Sequence, residues 1–499
     1  MPTLELPSVE YANILPILIL IGGALLLLLA GTFLQRRRVG SAYAIFTVLT
    51  AGAALVSTAF MWRRVSGGHG EATLAVADAL VIDGFSVFMA VVICSAVLVG
   101  ALLSDDYLRR EGLEGPEFYV LMMLSAAGGV IMAAANDLIV VFLGLEILSI
   151  ALYVMAGYHR RRAESQEAAI KYFVLGSFSS AFFLYGVALT YGATGSTNLG
   201  TISRFLREQI LTEGVFLAGM AFMLVGLGFK VAAVPFHMWT PDVYEGSPTP
   251  VTGFMAAAAK AAGFAALLRI FFSTFSTSRL DWQPIVWALA VLSLVVGATL
   301  AVVQRDVKRM LAYSSISHAG YVLIGLQAGT DQGIAGSLFY LLAYTFMVLG
   351  SFAVVTVVSR RGDAQHGLDA YRGLARRSPV LALTFTVFLL AQAGVPFTSG
   401  FLAKFYVIGA AVESSSYALA IIAMLAAVVA TFFYLRLIVV MYAGGDGGEE
   451  DDEAKAVPRV SVPVGAALAL GICLIVTVGV GFAPEPVIDF ARHATVLRL

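Results

Sequence analysis

Charge is scarce in this sequence. Only 13% of its 499 residues are Asp, Glu, Lys or Arg, about half of the roughly 25% usual in soluble domains, and the net charge is −1. The few basic residues stand in short clusters between apolar runs, so nothing points to nucleic acid as a partner. Cysteine is nearly missing: Cys94 and Cys473 both fall inside apolar stretches, which argues against a disulfide framework or a thiolate metal site. No Walker-A sequence, dinucleotide glycine fingerprint, Cys cluster or HExxH is present. The opening residues MPTLELPSVEY hold neither a basic n-region nor a small-residue cleavage site, so a retained first helix is expected.

What the chain has instead is hydrophobicity. Apolar residues make up 59% of it and the mean hydropathy is +0.88. The expected class is an all-α polytopic membrane protein. Windows of about 20 apolar residues suffice to cross the hydrocarbon core, and about fourteen can be drawn. They cover 12–34, 41–62, 80–104, 117–134, 137–157, 168–192, 214–235, 249–272, 283–304, 308–328, 331–358, 379–411, 416–443 and 461–484. The loops between them differ in charge. Odd-numbered loops carry clusters such as Arg36, Arg37 and Arg38, Arg160, Arg161 and Arg162, or Arg305, Lys308 and Arg309; even-numbered loops carry few, such as Arg63 and Arg64. The positive-inside rule then puts odd loops in the cytoplasm and both termini outside. The acidic run at 445–455 reads as a solvated loop.

Two spans are interrupted by proline, in GFKVAAVPFH around Pro235 and in LAQAGVPFTSGFLAKFY around Pro396. A proline in a helix interior removes one hydrogen bond and clashes with the preceding turn, so the freed backbone groups need other partners. Paired breaks in two halves of a transporter mark an ion path. The spacing divides the chain into a three-helix segment at 1–116, a five-helix repeat at 117–272, a second at 273–443, and a loop with a last helix at 444–499. Five is odd, so the second repeat is expected to be inverted relative to the first.

Charges inside such spans are costly, about 2.5–3.5 kcal/mol for a lysine at the centre, and by default mark function. Lys230 precedes the first break, and Lys260 lies among alanines in the next span. Desolvation and a nearby carboxylate pull an amine's proton affinity in opposite directions, which brings both within reach of titration near neutral pH. Glu146, in FLGLEILSIALY, is the carboxylate placed to pair with Lys230, either as a gate opened by a passing proton or as a structural ion pair. Lys404, beyond the second break, is an exit site or an amine reaching water. Lys171 begins the sixth span beside a basic loop, as an anchor or as a site of proton uptake. His318, in YSSISHAGY, titrates near neutrality and suits a relay, although a lone His among hydroxyls is equally a satisfied polar residue. Ser314, Ser315, Ser317 and Tyr344 are candidates to hold water between the charges. Asp242 and Glu245 are placed to cap or accept backbone groups freed at the first break, or else to take part in conduction.

The stretches PFHMWTPDVYEGSPTPVTGFMAAAAKAAGFA, YSSISHAGY, EAAIKYFVLGSFSSAFFLYG and GVPFTSGFLAKFY together resemble subunit N of bacterial respiratory complex I, the proton-pumping NADH:quinone oxidoreductase. The resemblance runs from about the third span to the last. The related L and M subunits and Mrp-type cation/proton antiporters share the broken helices and lysines, but the chain lacks the lateral helix of the L type and has Lys404 where the M type carries glutamate. The resemblance implies that Glu146 and Lys230 form a gating pair, Lys260 a central relay and Lys404 the terminal donor. It matches Lys171 and His318 to a sixth-span lysine and a tenth-span histidine. It also implies no cofactor on this chain, with NADH, FMN, iron–sulfur clusters and quinone on partner subunits. The expected partners are an antiporter-like M subunit and small membrane subunits, in a bacterial cell membrane. The alternative is a subunit of a Mrp-type sodium/proton antiporter.

Overall fold

The computed structural model describes residues 9–33, 40–66, 72–209, 214–359, 361–443 and 460–495. The acidic run at 445–455, and Arg36, Arg37 and Arg38, lie outside them. The described chain is helix after helix, relieved by one short antiparallel strand pair, Thr73–Ala75 with Leu80–Ile82. The helices are α1 (Leu15–Phe33), α2 (Ala42–Ser66), α3 (Gly84–Glu111), α4 (Pro116–Ala134), α5 (Leu138–Ala156), α6 (Ala163–Thr194), the short α7 (Leu199–Glu208), α8 (Gly214–Val231) and α9 (Trp239–Gly246). There follow α10 (Thr249–Thr274), α11 (Arg279–Val302), α12 (Val307–Ala328), α13 (Asp331–Val358), α14 (Pro379–Ala393), α15 (Ser399–Glu413), α16 (Tyr417–Tyr442), α17 (Val464–Phe482) and α18 (Glu485–His493).

Among the described residues twelve helices are long and apolar enough to cross a membrane, against the expectation of about fourteen. The two other expected spans are present as helix but fall short of that length or apolarity for physical reasons. One is α12, which opens on Lys308 and Arg309 and carries three serines and His318. The other is cut into α14 and α15, of 15 residues each, shorter than the roughly 20 a full crossing needs.

Helix starts follow the local sequence. Asp83, Asp137, Asp306, Thr330 and Thr398 each accept a backbone N–H of the first turn that follows them, in front of α3, α5, α12, α13 and α15, satisfying donors that the helix itself leaves free. Packing then sorts the helices by depth. Every residue in the apolar window of α10 and of α13 is buried, whereas most of α1 and α17 faces outward. A helix that is apolar all round belongs in the interior, and α10 and α13, with α12 beside them, form the axis of the molecule. Close approach depends on small residues: a Cβ at Gly297 of α11 would lie 2.5 Å from the backbone nitrogen of Ser317 on α12.

Both proline breaks are real interruptions. After α8, Ala232 turns into the left-handed region at φ 60°. The groups freed there find partners: Ala233 N–H donates to Gly228 O at 2.8 Å, Val234 N–H to Ser293 Oγ of α11 at 2.9 Å and Trp239 Nε1 to Phe229 O at 3.0 Å. At the second break Gly394, at φ 94°, closes α14 by donating to Leu390 O and Ala391 O. Left-handed φ at a helix C′ position is where glycine is favoured.

Candidate functional site

Lys230, Lys260 and Lys404 are 4%, 3% and 6% exposed, and what each ammonium touches defines the site. Lys230, near the end of α8, donates to Ser149 Oγ on α5 at 2.8 Å and lies 3.4 Å from Tyr172 Oη on α6. Its stem rests against α10 at Gly263, where a Cβ would stand 3.1 Å from Lys230 Cγ. Lys260 follows directly on a π-helical turn, Met255–Ala259, a distortion frequent at functional sites. It donates to both the carbonyl and the hydroxyl of Ser315 on α12, at 2.5 and 2.6 Å.

Lys404 reaches back from α15 across the break and donates to Gln392 O and Ala393 O at 2.9 and 2.8 Å. Those are the last two carbonyls of α14, so the amine supplies what the broken helix cannot. It also lies 4.9 Å from the centre of the Tyr321 ring. Gln392 leads onward: its Nε2 donates to Ser351 Oγ at 2.7 Å, and its Oε1 accepts from Tyr434 Oη at 3.5 Å. Tyr434 Oη contacts Ser314 Oγ and lies 3.2 Å from His318 Nε2, while His318 Nδ1 is 2.6 Å from Tyr340 Oη. The string from Lys404 through Gln392 and Tyr434 thus ends on α12 at Ser314, next to the serine that holds Lys260.

Two expected partnerships are drawn differently. Glu146 lies one turn before Ser149 on α5, and among the described residues no carboxylate is within 4 Å of Lys230; Glu146 Oε1 is buried without a hydrogen-bond partner. Serine makes the amine's hydrogen bond, and Glu146 acts on Lys230 by charge alone, from beyond ion-pair distance. Asp242 and Glu245 cap no helix. Both accept from Arg309 Nη1 at 2.8 Å, and Asp242 also takes Lys171 Nζ at 2.7 Å, which in turn reaches Glu167 at 2.7 Å. Long cations nearby outcompete backbone N–H groups for these carboxylates. Lys171 lies on the wall of a cavity of about 600 Å³ whose other charged lining includes Arg162, Glu164, Glu167, Asp242, Glu245 and Arg309. Of the expected water-holding hydroxyls, Ser314 and Ser315 are engaged as above; Ser317 Oγ is buried without a hydrogen bond, and Tyr344 packs its ring against His318 at 4.8 Å.

Several participants were not singled out in the sequence. Gln392 and Arg269 had a visible signal, since each is a polar side chain inside an apolar run. Arg269 is fully buried in a bidentate pair with Asp83, at 2.9 and 3.0 Å, and also donates to Ala133 O. Tyr172, Tyr321, Tyr340 and Tyr434 had none, because tyrosine is an ordinary residue in membrane helices. Asp363 was hidden in a loop. It is 0% exposed, and Arg162 (3.2 Å), Lys308 (3.7 Å) and His366 (3.4 Å) converge on its carboxylate. Burial alone would raise its pKa, but Lys308, His366, the Thr249 hydrogen bond and Arg162 together hold it well below the usual carboxylate range. Burial and the adjacent Lys308 push the His366 imidazole down to about 4.

Comparison with known proteins matches this architecture. Residues 135–430 match the family described as NADH:quinone oxidoreductase/Mrp antiporter, transmembrane. The NADH-quinone oxidoreductase subunit N of Trichlorobacter lovleyi is 46% identical over 72% of this chain and 74% of its own. That of Mycobacterium bovis is 40% identical over 99% of both chains. Among solved structures, a chain of respiratory complex I from Thermus thermophilus with bound aureothin is 33% identical, with a TM-score of 0.78 over 95% of this chain and 98% of that one. A chain of the Mrp complex from Dietzia is 19% identical, with a TM-score of 0.84 over 97% of each, a likeness of fold alone.

Proposed function

The chain belongs to the subunit N family of NADH-quinone oxidoreductase, and from that premise we propose that it is the membrane subunit that moves protons when partner subunits reduce quinone. The observation that carries this reading is the set of three buried ammonium groups, Lys230, Lys260 and Lys404, each held by neutral oxygens and backed by a hydrogen-bonded string of hydroxyl, imidazole and amide groups. An ammonium without a fixed counter-charge keeps or loses its proton according to the charge of its neighbours. A row of such groups passes a proton along when one neighbour changes state.

In this reading Glu146 and Lys230 form a gate that stands open, with Lys230 resting on Ser149 and Glu146 one turn away, its Oε1 without a hydrogen bond and its charge acting on Lys230 from beyond ion-pair distance. Closing it moves Lys230 onto Glu146. Lys260 relays, His318 and Tyr434 bridge to Gln392, and Lys404 releases the proton. Lys171, in its cavity beside Asp242, stands on the uptake side. The two breaks belong to two inverted five-helix repeats, 117–272 and 273–443, with their basic loops in the cytoplasm and both termini outside. Moving one charge against 100 mV takes about 2.3 kcal/mol, comparable to rearranging one buried pair. Binding of NADH, FMN, iron–sulfur clusters and quinone is assigned to partner subunits, with an antiporter-like M subunit and small membrane subunits alongside, in the bacterial cell membrane.

The test is Lys230→Met in the assembled complex reconstituted into vesicles. NADH-driven proton pumping is expected to collapse; pumping per electron at the unsubstituted level would make Lys230 structural. Sodium-dependent proton exchange in vesicles without NADH would instead favour a Mrp-type antiporter.

A further inference from the structure

Asp363 has more ligands than a surface loop needs. Besides Arg162, Lys308 and His366, its carboxylate accepts Thr249 N–H at 3.1 Å, Thr249 Oγ1–H at 2.7 Å and Tyr107 Oη–H at 3.3 Å. Its own backbone lies in the left-handed region, at φ 47°, a conformation that a non-glycine residue holds only where its surroundings enforce it. Replacing a buried ion cluster with apolar packing is often neutral or stabilising, so stability alone is a weak reason for this arrangement.

The placement of its partners supplies a better one. Thr249 opens α10, the helix that carries Lys260. Lys308 lies in the first turn of α12, the helix that carries Ser315, and its ammonium donates in addition to Ser247 O at 2.6 Å, two residues before Thr249. Lys308 and Ser315 are seven residues apart, two helical turns along one face of α12. Asp363 and Lys308 together therefore tie the starts of α10 and α12 to each other. The next polar contact between those two helices is Lys260 with Ser315.

We propose that Asp363 is a positioning residue for the proton relay: by gripping Thr249 and Lys308 it sets the axial register of α10 against α12, and so seats Lys260 on Ser315. This rests on the proton-transfer reading of Lys260. Tying both helices at one end leaves the far end of α10 to its own anchor, the Arg269 pair with Asp83, so loss of Asp363 lets the helix shift without unfolding.

The experiment uses the intact complex in vesicles carrying Asp363→Asn, Thr249→Val, Ser315→Ala, Lys260→Met or, as a control, Arg372→Ala at an exposed loop position. Two readouts are taken: hydrogen exchange of the amides of 249–263, and the pH profile of NADH-driven pumping. Asp363→Asn is expected to speed exchange at the start of α10, to lower pumping about tenfold or more, as displacements near 1 Å can, and to shift the pH profile in the same direction as Ser315→Ala. Thr249→Val, which keeps the backbone bond, should give a smaller change of the same kind, and Arg372→Ala none. If assembled Asp363→Asn complex shows unchanged exchange and an unshifted profile, or if it merely assembles in lower amount with both readouts normal, the proposal is overturned. If exchange changes but Ser315→Ala and Lys260→Met both pump normally, the clamp stands and the relay reading of Lys260 fails instead.

Discussion

Replacing Lys404 by methionine tests the site at the point where chemistry and backbone meet. An α-helix leaves its last four carbonyls unpaired. In α14 these belong to Leu390, Ala391, Gln392 and Ala393. Gly394 N–H serves the first two, Val395 N–H adds a second bond to Leu390 O, and Lys404 Nζ alone serves the other two. Methionine fills a similar volume but donates nothing, so two buried carbonyls lose their partner. At about 1–3 kcal/mol for each unsatisfied group, the segment from Gln392 to Thr398 is destabilised by roughly 2–6 kcal/mol. Two kcal/mol is already about a 30-fold change in an opening equilibrium. Amides that exchange by local opening around 394–401 are therefore expected to exchange at least about 30-fold faster in Lys404→Met, while NADH-driven pumping is lost. Arginine at the same position, which keeps donors of the same charge, should restore part of the protection. Unchanged exchange in the methionine variant would refute the capping role. Faster exchange with normal pumping would show that Lys404 closes a helix end and carries no proton.

Further outcomes follow from the same geometry. Glu146→Gln should cut pumping severely, by about 10²-fold if the carboxylate takes part in proton transfer, whereas Asp242→Asn should be mild because Glu245 still holds Arg309; the reverse order in the same assay would end the gating-pair assignment. Gly263→Val places methyl groups where Lys230 Cγ and Val231 Cγ1 lie 3.1 and 3.0 Å from the Cβ position, an overpacking of about 1–3 kcal/mol, and should reduce pumping by moving Lys230 off Ser149; normal pumping would show that Lys230 tolerates displacement. The loop around Asp363 should also make stability pH-dependent. His366 falls from an ordinary 6.5 to about 4 in the fold, so the unfolded chain binds the extra proton first. The stability this contributes is complete above about pH 6.5 and declines by up to about 3 kcal/mol towards pH 4. Below that, protonation of Asp363 removes more. Thermal melts of the purified complex from pH 7 to 4.5 should show the decline, and His366→Asn should flatten it; identical slopes would rule His366 out as its source.

How much of this was legible beforehand depends on which interactions are local. Apolar run length marked most of the spans, because a helix in lipid must satisfy its own backbone and bury nothing polar outward. At 308–328 and 379–411 the same signal is weaker, because serines, a histidine and a break dilute it, yet both stretches are helical. Pro235 and Pro396 announced the interruptions, since a missing N–H is a property of the residue itself. Lys230, Lys260 and Lys404 stood out as amines in apolar helices, and so did Glu146. None of these inferences requires knowing which helices touch.

Partner choice is another matter. Opposite charge suggested Glu146 for Lys230, and its charge does act there, yet the hydrogen bond goes to Ser149, three residues on, because the rotation of α5 against α8 decides which side chain comes within 3 Å. Asp242 and Glu245 looked like caps until packing brought Lys171 and Arg309 to them from α6 and α12. Tyr434 joins the relay from α16, more than a hundred residues after His318. Asp363 has no signature at all: a carboxylate in a basic loop becomes the tie between two central helices only when four other segments, carrying Tyr107, Arg162, Thr249 and Lys308, close over it. Composition and periodicity determined that this chain is a bundle of membrane helices with buried amines and two breaks. Which oxygen each amine holds was decided only when the helices packed, since hydrogen bonds act over about 3 Å and that distance is set by neighbours far away in sequence.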